Sequence, residues 1–484
     1  MDIIVEDKAF SFKDLEREIF RMICEKGVEL TREILKSLDQ KIFNDIDKEL
    51  YRSEGFRKTS VKTQYGEVEY SRRVYRTMTE DGQKAFVYLL DEVIGMKRIG
   101  LISENLAEII ADAATEEPYR KASGSVSTMT GSSISAQGAW DVIQKVGERI
   151  DEEEAYAVNQ MNTYQSRGKK AIPVLFEEMD GVWIRQQGSH HEKKPMQEVK
   201  VATTYEGWDA NKESMNRSTL TGKHVIAGIE NARIFHEKRE ADIQSRYDVD
   251  EIIQRVVNGD GGSWIGEPND PEAIIQLDPF HVHKEIRRLI ADKDAINEIE
   301  RRYTEKDIAG MLDYVRTYAV SVASDDAADK RAKNAQALLK YLTNNKDALL
   351  PWQERGIKIP EAPAGITYKA MGVQENQNCT VVTLRMKHRR MRWSPDGGNN
   401  MAKALARREN HELHSTITRY SDALIFGKEI TRAIEVLSAA KAPKKDGKGS
   451  PYPDIFGRHV PLLDAAVTWG RQVFWNIVSG KGTM

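Results

Sequence analysis

Cysteine is almost missing from this chain: Cys24 and Cys379 are the only two in 484 residues. They supply neither a disulfide framework nor a zinc-ligand spacing, so a reducing cytoplasm is the expected location. Long apolar runs are missing as well. None approaches the ~20 residues that a membrane-spanning helix needs, and no membrane partner is expected. The opening MDIIVEDKAFSF is acidic and lacks the basic and apolar regions of a secretory signal. An excess of one charge is also absent, with 72 Lys+Arg against 75 Asp+Glu, a net charge of −3 and a pI of about 6.4. That balance argues mildly against a nucleic-acid partner, because neutralising phosphates takes clustered cations.

What is present is a large, well-mixed chain, 40% hydrophobic and 30% charged. Its length corresponds to about three domains of roughly 100–200 residues. The even charge also hides one local patch. Between positions 385 and 408 stand Arg385, Lys387, Arg389, Arg390, Arg392, Lys403, Arg407 and Arg408, against Asp396 alone. A charge run is usually a solvated helix face. His388 and Trp393, interleaved with these cations, favour a DNA backbone as the alternative.

Residues 1–50 are helical in period, with Phe12, Leu15, Ile19, Met22, Ile23, Leu30, Ile34 and Leu38 recurring at three and four. Such an arm packs on the core or pairs with a second copy. Residues 58–76 alternate around Tyr65-Gly66 as a β-hairpin whose second strand carries Arg72, Arg73 and Arg76, a ribbon for DNA or ordinary surface. From 101 to 150 the period is helical again. Ser103 is a plausible N-cap, and a glycine-containing turn precedes a helix from Ser135. This arrangement suits a helix-turn-helix, with Gln137 and Lys145 toward DNA and Ala139, Val142, Ile143 and Val146 toward the core. Many ordinary helix pairs look the same.

The chain is organised around 171–286. Strands are expected at 172–179, ending in Asp180, then at 182–186 and 198–205, followed by a short apolar run at 225–229 and a helix over 233–246. Two more strands are expected at 252–257, closed by Asn258-Gly259-Asp260-Gly261-Gly262, and at 273–277, before Asp278 and a helix from Pro279. That order is the order of an RNase H-like core, in which Asp180 and Asp260 share one edge of the sheet. Two carboxylates placed there suit Mg²⁺, a hard cation that takes oxygen ligands. Asp-Gly pairs are also common turn signals, and two in a long chain mean little alone. Residues 284–352 are almost wholly helical in period, residues 440–455 read as a Lys-, Gly- and Pro-rich linker, and a final apolar helix is expected over 461–478 with Trp469 and Trp475 buried.

The strings DGVWI, EVKVATTYEGW, YDVDEIIQRVVNGDGGSWI, QLDPFHVHKEI and MGVQENQNCTVVTLRMKHRRMRWSPDGGNNMAK resemble ISLre-type (Lre-two) bacterial insertion-sequence transposases. These are relatives of the Mutator-like DDE transposases and are also catalogued as an uncharacterised protein family. The resemblance runs over almost the whole chain. It implies a mixed α/β protein whose RNase H-like core is interrupted by an all-helical insertion. The implied division is 1–100 for the helical arm and hairpin, 101–165 for the helix-turn-helix-like region, and 166–290 for the first part of the core. The insertion then takes 291–360, the last part of the core 361–440, and the linker and final helix 441–484.

The resemblance also implies a catalytic and metal-binding trio of Asp180, Asp260 and Glu375 holding two Mg²⁺, with Mn²⁺ as a substitute. Asp396 is the runner-up for the third place. Asp278 and His281 form an Asp-x-x-His signature and are expected as accessory residues, although Asp278 next to Pro279 also reads as a helix cap. Arg385, Lys387, Arg389, Arg390, Arg392, Gln137 and Lys145 are the expected DNA contacts. The implied activity is metal-dependent cleavage and strand transfer at the ends of the element, by a homo-oligomer acting on terminal inverted repeats and target double-stranded DNA. The rivals are an RNase H-like nuclease without strand transfer and a transposase-derived DNA-binding protein that no longer cuts.

Overall fold

The computed structural model describes residues 11–79, 82–94, 102–188, 196–211, 219–262, 264–265, 270–323 and 330–418. The expected linker at 440–455 and the helix at 461–478, with Trp469 and Trp475, lie outside the described residues. The described chain is a mixed α/β structure of 13 α-helices and three sheets, and it falls within one compact unit. No described helix is long and apolar enough to cross a membrane.

Ser11 opens α1 (Phe12–Asp45). Its side chain accepts the Asp14 N–H while the Asp14 carboxylate accepts the Ser11 N–H, a capping box. The second half of the helix buries Leu35 and Leu38 against Val61, Val68, Tyr70 and Leu90. These lie on β1 (Arg52–Thr63), β2 (Gly66–Met78) and α2 (Leu89–Val93), with β3 (Lys84–Val87) completing the antiparallel sheet. The first turns leave Phe12, Leu15, Ile19 and Ile23 exposed. The hairpin is longer than its sequence pattern suggests, and its arginines are engaged within the protein: Arg72 with Asp91, Arg73 with Asp39, Arg76 with Glu54.

Three helices follow: α3 (Glu104–Glu116), α4 (Tyr119–Met129) and α5 (Ala136–Asn162). Ser103 caps α3 as expected, and Ser135 caps α5. Ala139, Val142, Ile143 and Val146 are buried, but what they bury against is the central sheet. One apolar cluster joins α3–α5 to Val182, Ile184, Val199, Val201, Val225 and Ala227.

That sheet contains β4 (Val174–Arg185) and β5 (Met196–Tyr205). After β6 (Gly207–Asp209) and β7 (Leu220–Thr221) it continues with β8 (His224–Gly228). Helix α6 (Ala232–Arg246) precedes β9 (Gln254–Gly259) and β10 (Ile274–Leu277). The strand order is β10-β9-β4-β5-β8. The pairs β4–β5 and β5–β8 are antiparallel, while β4–β9 and β9–β10 are parallel.

The strands expected at 172–179 and 182–186 are a single strand. Asp180-Gly181, a turn signal in the sequence, stays extended opposite Val201 and Lys200. A Cβ at Gly181 would meet the Glu198 carboxylate, the far end of a flexible side chain.

After β10 come α7 (Pro279–Leu289), α8 (Lys293–Thr304), α9 (Ile308–Ser321) and α10 (Lys330–Asn344), whose apolar faces form a second cluster around Val282, Ile286, Ile299, Met311, Val315, Leu338 and Leu342. The chain returns through β11 (Ile366–Thr367), which pairs with β6. It then enters α11 (Gln374–Gln377), runs directly into a π-helical segment (Asn378–Lys387), and ends in α12 (Pro395–Glu409) and α13 (Leu413–Thr418). Helix α12 lies against α5 at Gly147, where a Cβ would overlap Asn400.

Candidate metal centre on the five-stranded sheet

The parallel register of β4 and β9 sets Met179 opposite Gly259. The next residue on each chain is therefore an aspartate, Asp180 or Asp260. Leu277 of β10 pairs with Gly259, so the helix that follows starts beside the same two residues. Asp278 caps α7 by accepting the Phe280 N–H at 2.9 Å, with Pro279 in the first helical turn. One turn in, His281 directs Nε2 to Asp180 Oδ2 at 3.4 Å. From the other side α11 presents Glu375. One ligand atom each from Asp180, His281 and Glu375 lies within 4.8 Å of the others.

Asp180 is buried and held from two directions. Its Oδ1 accepts the Gly181 N–H at 2.7 Å and its Oδ2 accepts the Asn378 carboxamide at 2.6 Å. Asp260 borders the cluster and accepts the Gly262 N–H at 2.7 Å. Burial raises the Asp260 carboxyl above its ordinary pKa and the Asp180 charge adds to this, while the Gly262 N–H and the His281 and Lys284 charges oppose it. For His281, burial acts to lower the pKa, but the Asp180 hydrogen bond and the Asp180, Asp260 and Asp278 charges outweigh it and the imidazole ends raised. Two carboxylates and an imidazole, with a second aspartate destabilised as an anion beside them, form a donor set that a divalent cation satisfies. The residues fit Mg²⁺ or Mn²⁺.

The remaining expected site residues separate. Asp278 serves α7 and takes a long contact of 3.5 Å from Asn258. Asp396 sits exposed in the first turn of α12 and is not part of the cluster. Of the basic segment, Arg385 is only 4% exposed. It donates to the Ala114 carbonyl and lies over the rings of Tyr119 and Trp393, so it is a core residue and not a surface phosphate contact. Trp393 is itself buried, donating to the Met386 carbonyl.

Lys403, Arg407 and Arg408 pair with Glu154, Glu153 and Glu116. Lys387, His388, Arg389, Arg390 and Arg392 are exposed, and both Arg389 and Arg390 have positive φ. They form a cationic turn just beyond the helical segment that starts beside Glu375. On α5, Gln137 and Lys145 are exposed as expected. However, Gln137 donates to Asp141, and Lys145 shares its groove with Asp141, Glu148, Asp151 and Asp396, a setting that repels phosphate.

Sequence reasoning missed Asn378. Its only signal was an amide three residues after Glu375, the spacing that places both on one face of a helix. A second acidic group, Asp151, Glu154 and Glu230, also converges. It already surrounds the ammonium groups of Lys238 and Lys403, which supply its counter-charge.

Comparison with known proteins finds similarity along most of the chain. A protein of Streptococcus gallolyticus described as "UPF0236 protein in vanSb 3'region" is 25% identical over 410 residues, covering 82% of this chain and 83% of its own. Residues 5–418 match the uncharacterised protein family UPF0236, and the chain belongs to that family.

Proposed function

We propose that this protein is a DDE transposase of a bacterial insertion sequence, cutting DNA at the ends of its element and joining the freed 3′ ends to target DNA. The observation that carries the reading is the convergence of Asp180, His281 and Glu375, with Asp260 beside them, from segments far apart in sequence. Three further features support it. The strand order β10-β9-β4-β5-β8, with three antiparallel strands followed by two parallel ones, is compatible with the expected RNase H-like sheet. The helices α8–α10 fall within 291–360, the stretch expected as an insertion between the fifth strand and the helix bearing the last acid. The cationic turn at 387–392 follows the helical segment that carries Asn378 and gives a DNA backbone a place to rest.

In this reading Asp180, Asp260, Glu375 and His281 hold the cations. Divalent ions bound there supply activation of the attacking oxygen and neutralisation of the leaving one. Asn378 fixes the Asp180 carboxylate. Tyr341, whose hydroxyl donates to the Asp260 carbonyl at 3.2 Å, fixes the loop after β9. The acting form is an oligomer that holds two element ends, and it works in the cytoplasm on the nucleoid.

The experiment is cleavage and strand transfer on DNA carrying the ends of the element, with Mg²⁺ or Mn²⁺, comparing the natural protein with Asp260→Asn. Cleavage and joining by the first and neither by the second is expected. Cleavage without joining identifies a nuclease, and activity that survives Asp260→Asn removes this site.

A further inference from the structure

Glu178 lies two residues before Asp180 on β4, is fully buried, and belongs to no expected ligand set. Residues two apart on a strand face the same side, so Glu178 and Asp180 point toward α11 together. Five groups donate to its carboxylate. The Gly372 N–H reaches both oxygens, at 3.0 and 3.1 Å, and the Val373 and Gln374 N–H groups each lie at 3.2 Å. The Tyr205 hydroxyl donates at 2.7 Å and the Asn258 carboxamide at 3.0 Å. A carboxylate offers about four lone-pair positions, so this one has no room left for a cation.

The donors come from particular places. Gly372, Val373 and Gln374 immediately precede Glu375. Asn258 is two residues before Asp260 on β9, and its own oxygen accepts from Gln276 at 3.2 Å, two residues before Asp278 on β10. A single buried anion on the strand that carries Asp180 thus binds both of the segments that deliver Asp260 and Glu375, at one to three positions upstream of each acid.

We infer that Glu178 is the positioning residue of the centre: it locks β4, β9 and the start of α11 in the register that brings Asp180, Asp260 and Glu375 together, without touching metal or substrate. The inference rests on the metal-centre reading. The segment before Glu375 arrives after the long excursion through α7–α10, so β-pairing does not hold it to β4. Its unpaired N–H groups and the Glu178 anion satisfy each other instead.

The test uses the full chain and two readouts: Mn²⁺ affinity by electron paramagnetic resonance, and amide hydrogen exchange over 372–374. In Glu178→Gln the side-chain NH₂ faces backbone N–H donors, so exchange at 372–374 is expected to speed up and Mn²⁺ affinity to fall by about 10–100-fold, the range for residues that orient ligands. Asp180→Asn is expected to weaken Mn²⁺ binding while leaving exchange at 372–374 unchanged. Natural protection and natural Mn²⁺ affinity in Glu178→Gln overturn the inference while leaving the centre intact. Equal Mn²⁺ binding by the natural protein and Asp180→Asn overturns the centre and the inference with it. If Glu178→Gln does not fold, Asn258→Ala, which removes the β9 donor to Glu178 together with the Gln276 and Asp278 contacts of that side chain, is read in its place. A several-fold loss of Mn²⁺ affinity supports the role, and no loss overturns it.

Discussion

The Asn378 carboxamide donates to Asp180 Oδ2 at 2.6 Å, joining residues 198 positions apart. Its own oxygen accepts from the Gln374 side chain at 2.9 Å, and Gln374 neighbours Glu375. One amide chain therefore runs from Asp180 to the residue next to Glu375. Replacing Asn378 with Ala should leave the fold in place and reduce Mn²⁺ affinity by about tenfold, the lower end for lost outer contacts to a ligand. Titration calorimetry beside a melting curve separates the two effects. A large drop in melting temperature would instead mark Asn378 as a packing residue.

Arg385 and its exposed neighbours should behave in opposite ways. Burial pulls the Arg385 guanidinium pKa down to about 10, which still leaves it charged at neutral pH among Tyr119, Trp393 and the Ala114 carbonyl. Arg385→Ala should cost about 3 kcal/mol of stability, as for other losses of a buried hydrogen-bonded charge, measured by denaturant unfolding. Lys387→Ala, Arg389→Ala and Arg390→Ala should leave stability nearly unchanged. Each should weaken DNA binding and lower the salt slope by about 1.

His224 gives the fold a dependence on pH. Its Nδ1 lies 3.2 Å from Asp242 and its Nε2 3.3 Å from Glu412. Burial acts to lower the imidazole pKa, but Asp242 and Glu412 overcome it and the pKa ends above the ordinary 6.5. The stability this gives is complete below 6.5 and is lost as pH rises through the raised value. Glu412 behaves in the opposite sense. Burial opposes the change, but His224 and Arg407 bring it down to about 2 from 4.5, so its contribution holds above 4.5 and is lost as pH falls toward 2. Melting temperature against pH should decline on the alkaline side in the natural protein, and His224→Gln should flatten that side.

The contact between α5 and α12 at Gly147 admits no side chain, because a Cβ would overlap Asn400. Gly147→Ala should cost about 1–3 kcal/mol through forced separation of the two helices. Unfolding by urea is the measure, and an unchanged midpoint would show that the helices have slack.

Much of this arrangement was legible in the sequence, and the exceptions have physical causes. The apolar runs of β5, β8, β9 and β10 declare themselves by length and β-branching, and Ser103 and Ser135 mark helix starts by capping chemistry. Asp180-Gly181 misled because a turn pair and a strand pair are identical in sequence. What keeps it extended is antiparallel pairing with Val201 and Lys200 of β5, about 20 positions on. Arg385 misled because a cation in a basic run has no local sign of burial. Its place is set by two aromatic rings, one of them on Tyr119, in the first third of the chain. The buried contacts of Glu178 and Asn378 join segments nearly 200 residues apart, and no local pattern carries such pairings.

The central claim is that acids distant in sequence hold cations at one point, and iron-directed cleavage of the polypeptide tests it most directly. Fe²⁺ bound in place of Mg²⁺, with ascorbate and peroxide, breaks backbone close to the metal. The account predicts cuts near 180, 260, 281 and 375, suppressed by excess Mg²⁺ and abolished in Asp180→Asn. Cuts confined to other segments, or an unaltered pattern in Asp180→Asn, would contradict it.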